Sequence, residues 1–158
     1  MKKAFLFPGQ GSQFIGMGKE LAAQFEVAKD VFLEVDEALG EKLSALMFRG
    51  DIEELTLTKN AQPAIMAVSI AILRVMLSNG LDFKTIDLLA GHSLGEYSAL
   101  CASGVVSLRD TAIILRKRGI AMQKAVSEGK GSMAAVLGLT SEAVNEFINT
   151  SKCDNHLI

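Results

Sequence analysis

The residues in this 158-residue chain whose types and spacing could do chemistry centre on Gly91-His92-Ser93-Leu94-Gly95. This pentapeptide lies between an apolar run at residues 86–90 and a helical pattern that begins at Glu96. A strand, a G-x-S-x-G turn and a helix, in that order, hold a serine hydroxyl out on a tight turn at the mouth of a sheet. The two glycines permit the sharp turn and the close approach of strand and helix. The helix N-terminus offers N–H groups and partial positive charge where an oxyanion would form, as a nucleophilic serine requires. The same five residues also fit a plain glycine-flanked turn carrying an ordinary serine.

A second candidate is the loop Pro8-Gly9-Gln10-Gly11-Ser12-Gln13, which follows a short apolar strand predicted over residues 3–7. Two glycines and two amides at the end of a strand suit a binding loop beside a rigid sheet, and equally a simple turn. Phosphate-loop chemistry is excluded. Gln13 stands where a motif ending in Gly18-Lys19 needs glycine, and Phe14 breaks the G-x-G-x-x-G pattern.

Arg118 is the third candidate. The helix predicted from Ser107 to about residue 126 carries the apolar stripe Leu108, Ala112, Leu115, Gly119, Met122 and Val126. At ~100° per residue, Arg118 falls on the flank of that stripe, while Arg116 and Lys117 point outward. From a flank a guanidinium can reach a buried site and keep its charge, or snorkel to the surface. Gln62, at the N-terminal lip of a long apolar helix, either faces the site or caps the helix. His92 is expected to pack and hydrogen-bond beneath the turn, its ring away from the Ser93 hydroxyl. Cys153 and His156 lack companions for a closed metal site, so no metal ligands are assigned.

Behind these residues, helical periodicity covers residues 16–39 in two pieces that break near Phe25-Glu26, with Gly40 closing the second. A short helix at 43–48 is stopped by Gly50, and a turn at 51–55 is capped by Asp51. Residues 60–78 form a nearly all-round apolar helix with Pro63 in its first turn and Asn79-Gly80 past its end, which reads as a buried helix. After the serine, a helix over 94–103 ends at Gly104, and Ser107-Leu108-Arg109-Asp110 opens the next in the manner of a capping box. Gly129 and Gly131 mark a hinge, followed by a strand at 133–137 and a helix at 141–149 opened by Thr140 or Ser141.

With 49% hydrophobic residues the chain can bury a sizeable core, and its net charge of −2 gives no electrostatic case for nucleic acid or an anionic membrane as partner. Pro8-Gly9 cuts the first apolar run too short for a signal peptide. Ser69 and Arg74 interrupt the most apolar helix. Two isolated cysteines, Cys101 and Cys153, make no disulfide framework and suit a reducing, cytoplasmic setting. Three strand candidates are fewer than the ~5–6 of an average sheet, and a serine nucleophile needs a histidine base that neither His92 nor His156 is placed to supply. The expectation is therefore that these residues are the N-terminal part of a longer enzyme.

Four stretches taken together resemble the malonyl-CoA:acyl-carrier-protein transacylase family of bacterial fatty acid synthesis. They are FPGQGSQ at 7–13, QPA at 62–64, GHSLGEYSAL at 91–100 and the arginine of RGIAMQ at 118–123, in that family's order and spacing. The resemblance implies Ser93 as the acylated nucleophile, Gln10 and the Leu94 N–H as the oxyanion hole, and Arg118 as the group that grips the malonyl carboxylate. It gives Gln62 a place at the pocket wall. It implies an α/β fold: an α/β-hydrolase-like core, here residues 1–128, with residues 129–158 beginning a ferredoxin-like subdomain. Malonyl-CoA and acyl carrier protein are the implied partners, with the coenzyme A thioester a substrate and no cofactor. The family's catalytic histidine lies beyond residue 158. The competing readings are a serine esterase or thioesterase, against which stand the missing HGGG-type loop and a buried arginine, and a non-catalytic truncated remnant.

Overall fold

A computed structural model describes residues 2–125 and 136–150. The chain divides into two compact units, Met1–Val126 and Ser127–Ile158.

In the first unit, strand β1 (Ala4–Phe7) pairs in parallel with β2 (Leu88–Gly91), in the register Ala4↔Leu88 through Phe7↔Gly91. Between them the chain makes α1 (Lys19–Gln24), α2 (Glu26–Leu39), α3 (Leu43–Arg49), α4 (Ile52–Thr56) and α5 (Thr58–Ser78), then a single 3-10 turn at Phe83–Thr85. Helices α6 (Leu94–Ala102) and α7 (Leu108–Ala125) follow β2. A parallel pair whose crossover and flanks are helical makes this an α/β fold, the class the sequence predicts. The expected break at Phe25 is real: this residue is extended (φ −128°, ψ 117°) and separates α1 from α2, while Gly40 ends α2 in the left-handed conformation (φ 66°). Asp51 caps α4 by accepting from the Glu53 N–H at 2.6 Å.

Helix α5 is the axis of the core. It packs against α2, α6 and α7, and its residues Ala61, Ala64, Ile65, Met66 and Ala67 are fully enclosed with Val31, Val35, Met47, Leu94 and Leu115. By length and composition α5 alone among the described helices could cross a membrane; over half of it is buried, as in a core helix. Its start differs from expectation. Leu57 is non-helical and the helix begins at Thr58, so Pro63 sits inside the second turn rather than the first. The two strands show a further difference. Leu6 and Leu88 are 77% and 57% exposed, so the described part of the sheet is covered on one side only.

The second unit contains α8 (Ser141–Thr150), whose Ala143 N–H is capped by the Thr140 hydroxyl at 3.3 Å. The strand expected at 133–137 falls largely outside the described residues, and Val136 and Leu137 are not in a strand. The glycines at 129 and 131, Cys153 and His156 also lie outside them.

Candidate active site around Ser93

Ser93 stands between β2 and α6 with φ 56° and ψ −107°, the one non-glycine residue with positive φ among the described residues. A serine in that conformation is strained by about 1–3 kcal/mol, so the surroundings must impose it. They do so by backbone contact. A Cβ on Gly91 would lie 1.9 Å from the Gly95 carbonyl carbon, and one on Gly95 would lie 2.3 Å from the Phe7 oxygen. Only glycine at both positions lets α6 start directly against the ends of β1 and β2. The His92 N–H extends the ladder to the Phe7 carbonyl at 3.1 Å.

An ordinary serine at a helix N-cap accepts from an N–H in the first turn. The Ser93 hydroxyl caps nothing. Its partner is Arg118, which donates from Nη2 to Oγ at 2.9 Å, and from Nη1 to Gln62 Oε1 at 2.7 Å. Gln62 is completely buried, and its Nε2 donates to the Met122 thioether at 3.3 Å, which sets the direction of the amide. The Tyr97 ring lies against the guanidinium, 5.6 Å from its carbon to the ring centroid. Three helices thus converge on one point: α5 through Gln62, α6 through Ser93 and Tyr97, α7 through Arg118.

The geometry depends on how closely α7 approaches α5. At Gly119 a Cβ would meet Lys59 Cα and the Thr58 oxygen at 2.6 Å each, so the two helix backbones touch there. That contact carries Arg118 inward beside Gln62. Arg118 reaches Ser93 rather than snorkelling to the surface, and Gln62 faces Arg118 rather than capping its helix.

Arg116 departs from expectation. It does not point outward. Its side chain is 14% exposed, donates to Asn60 Oδ1 and is ion-paired with Glu41, and burial lowers its pKa from the usual arginine value. The reason is that α7 is embedded on both flanks, with α5 and the turn after α2 covering the second. Lys117 alone of the pair is exposed. His92 also departs: it is not enclosed beneath the turn but solvent-exposed, with its ring against Gly9, where a Cβ would lie 2.3 Å from Nδ1.

The remaining sequence candidates stand outside the arginine network. Gln10 is exposed, and its Nε2 donates to Thr58 Oγ1 at 3.4 Å. Its loop is braced by Ser12 Oγ donating to the Gly9 carbonyl at 2.9 Å and by Gln13 Nε2 reaching Thr56 Oγ1 at 3.4 Å. Leu94 buries its side chain in the core, and as the first residue of α6 its N–H has no acceptor within the helix. Sequence reasoning missed Tyr97 and Met122 as neighbours of the site. Both were legible in principle, since each follows a candidate by one helical turn, Tyr97 after Ser93 and Met122 after Arg118. Among the described residues, no group of three or more His, Cys, Asp or Glu side chains is placed to hold a metal ion.

Comparison with known proteins shows the family. The model of a family described as the acyl transferase domain matches residues 4–152. Malonyl CoA-acyl carrier protein transacylase of Bacillus subtilis (strain 168) is 54% identical over 157 residues, covering 99% of this chain and 49% of the relative. The crystal structure of acyl-carrier-protein-S-malonyltransferase from Bartonella henselae superposes with a TM-score of 0.90 at 60% identity, over 94% of this chain and 48% of that one. A malonyl-transacylase in complex with a type II PKS acyl-carrier protein superposes with a TM-score of 0.85 at 43% identity, over 92% and 47%. The chain therefore spans about half the length of the relatives it matches. With its strained serine, its glycine-tight turn and a family match across nearly all of its length, the chain belongs to the acyl transferase domain family.

Proposed function

We propose that this polypeptide serves the transfer of a malonyl group from malonyl-CoA to the phosphopantetheine thiol of acyl carrier protein, through a malonyl ester of Ser93. Ser93 Oγ attacks the thioester carbonyl carbon as its proton passes to a base. The tetrahedral oxyanion collapses with loss of the coenzyme A thiolate, which takes up a proton. The carrier thiol then attacks the serine ester and the same steps run in reverse. The Leu94 N–H and Gln10 serve as oxyanion donors, each such donor being worth about 3–4 kcal/mol in comparable sites. Arg118 binds the malonyl carboxylate, with Gln62 as the amide that aims it. The base is not identified among the described residues, since the hydrogen-bond partner of Ser93 is a guanidinium, which cannot accept a proton.

One observation carries this reading. Arg118 sits 2.9 Å from the candidate nucleophile, with only a hydroxyl, an amide and a ring around it and no carboxylate in ion-pair distance among the described residues. A fixed positive charge held unpaired beside a nucleophile suits an acyl group that brings its own negative charge. An esterase would have no use for it. The relatives' names support the same substrates. An α/β-hydrolase-like core over 1–128, a ferredoxin-like subdomain beginning at 129–158, and a cytoplasmic location belong to this proposal, with coenzyme A entering as substrate rather than cofactor.

The test is the intact mass of the protein after incubation with malonyl-CoA, beside a Ser93→Ala control. A single malonyl adduct on the serine form alone is expected. An adduct that survives Ser93→Ala, or hydrolysis of p-nitrophenyl esters that outruns coenzyme A exchange, overturns the reading.

A further inference from the structure

Two hydrogen bonds, to Gln62 Oε1 and to Ser93 Oγ, fix where the end of Arg118 lies, but not how its plane is tilted. Rotation of the guanidinium about the line joining its two acceptors is otherwise limited only by its own side-chain stem. The Tyr97 ring stands beside the guanidinium, its centroid 5.6 Å from the central carbon and so within cation–π range. We propose that Tyr97 is a positioning residue for Arg118, and that by setting the tilt of the guanidinium it sets the preference for an acyl group that carries a carboxylate. This rests on the reading of Arg118 as the carboxylate-binding group.

The argument follows from the shape of the two ions. A guanidinium donates only in its own plane, and a carboxylate gains both bonds only when it lies in that plane. Tilt therefore matters greatly for a carboxylate and not at all for an uncharged acyl chain, which uses no arginine N–H. Tyr97 lies one turn beyond Ser93 on α6, so the element that presents the nucleophile also sets the angle of the clamp. The arginine's plane and the attacking oxygen are referenced to the same helix.

Tyr97 is half-buried and also packs on the core, so a structural role would depress every activity alike. The experiment is steady-state transfer to acyl carrier protein by the full chain, from malonyl-CoA and from acetyl-CoA, for Tyr97→Phe and Tyr97→Leu. Tyr97→Phe keeps a ring and is expected to keep the malonyl KM within about twofold. Tyr97→Leu is expected to raise that KM about tenfold while kcat and acetyl transfer change little. Malonyl-over-acetyl selectivity that survives Tyr97→Leu, with activity kept or lost equally on both substrates, overturns the proposal. So does Tyr97→Phe failing as badly as Tyr97→Leu. A wild type without malonyl preference overturns the reading of Arg118 and this inference together; a wild type with it, unmoved by Tyr97→Leu, overturns this inference alone.

Discussion

The two flanks of α7 hold arginines two positions apart, and the protein treats them in opposite ways. On one flank, Arg116 is ion-paired with Glu41 and hydrogen-bonded to the buried Asn60, so its charge is met by an anion. On the other, Arg118 is met by Gln62, Ser93 and a Tyr97 ring, all neutral. Both guanidiniums are partly removed from water, which makes an unmet charge costly. Under the proposed function, the difference separates a structural cation from a binding one. A cation that closes on its own carboxylate holds helices together. A cation given only neutral partners is oriented and left with its charge to spend on something that arrives.

The largest effect should come from removing the open charge. Arg118→Met is expected to lower malonyl transfer about 10²- to 10³-fold, and, because it leaves the buried Gln62 Oε1 without its donor, to cost about 1–3 kcal/mol of stability as well. Arg116→Met should cost stability alone. It leaves the Asn60 carbonyl buried without its donor, costing about 1–3 kcal/mol of stability by denaturant titration while malonyl-over-acetyl selectivity persists. If both variants lose selectivity, the contrast between the flanks is wrong.

Gly119→Ala probes the hinge between the flanks. The new Cβ meets backbone at Lys59 and Thr58, which no rotamer change can relieve. A loss of about 1–3 kcal/mol is expected, together with a fall in selectivity, because α7 must withdraw from α5 and take both arginines with it. Stability lost without selectivity would show that Arg118 is aimed independently of that contact.

The smallest effect lies at Cys101, away from either guanidinium. Burial pushes its thiol pKa above the ordinary value, against a smaller opposing influence from its bond to Thr111. The folded state therefore favours the neutral thiol. Its contribution to stability is full below the ordinary thiol range and is lost as pH rises through the raised folded value. Alkylation of Cys101, followed by peptide mass, should need a higher pH in the native protein than in urea. Equal profiles would mean that the packing around Cys101 does not shield its thiol from water.

The sequence made the serine turn legible because glycine, serine and glycine at that spacing have few structural uses next to a strand and a helix. Arg118 was legible as a flank residue because helical periodicity is a local property. Arg116 was misread by the same rule. Its environment is made by Glu41 and Asn60, which sequence distance hides, and a helix with both flanks covered has no outward side at that level. Pro63 falls in the second turn rather than the first because the helix starts two residues earlier than its periodicity suggests, directly after the non-helical Leu57, an ambiguity local propensity does not resolve. The roles proposed for Gln10 and Leu94 rest on the resemblance.

The register of the sheet has a consequence for how the molecule comes to be armed. β1 and β2 are tied at Lys3 and Asp87, 84 residues apart, whereas the helices between them form from neighbours along the chain. Closing so long a loop costs about 4 kcal/mol of chain entropy before any strand contact returns it. The turn at Ser93 needs the end of β1 in place, because Gly95 lies on the Phe7 carbonyl. Assembly of the turn at Ser93 therefore depends on a long-range contact, which the helices between the strands do not need. An opening that parts the two strands would let Ser93 relax to an ordinary backbone conformation without requiring the helical cluster around α5 to unfold.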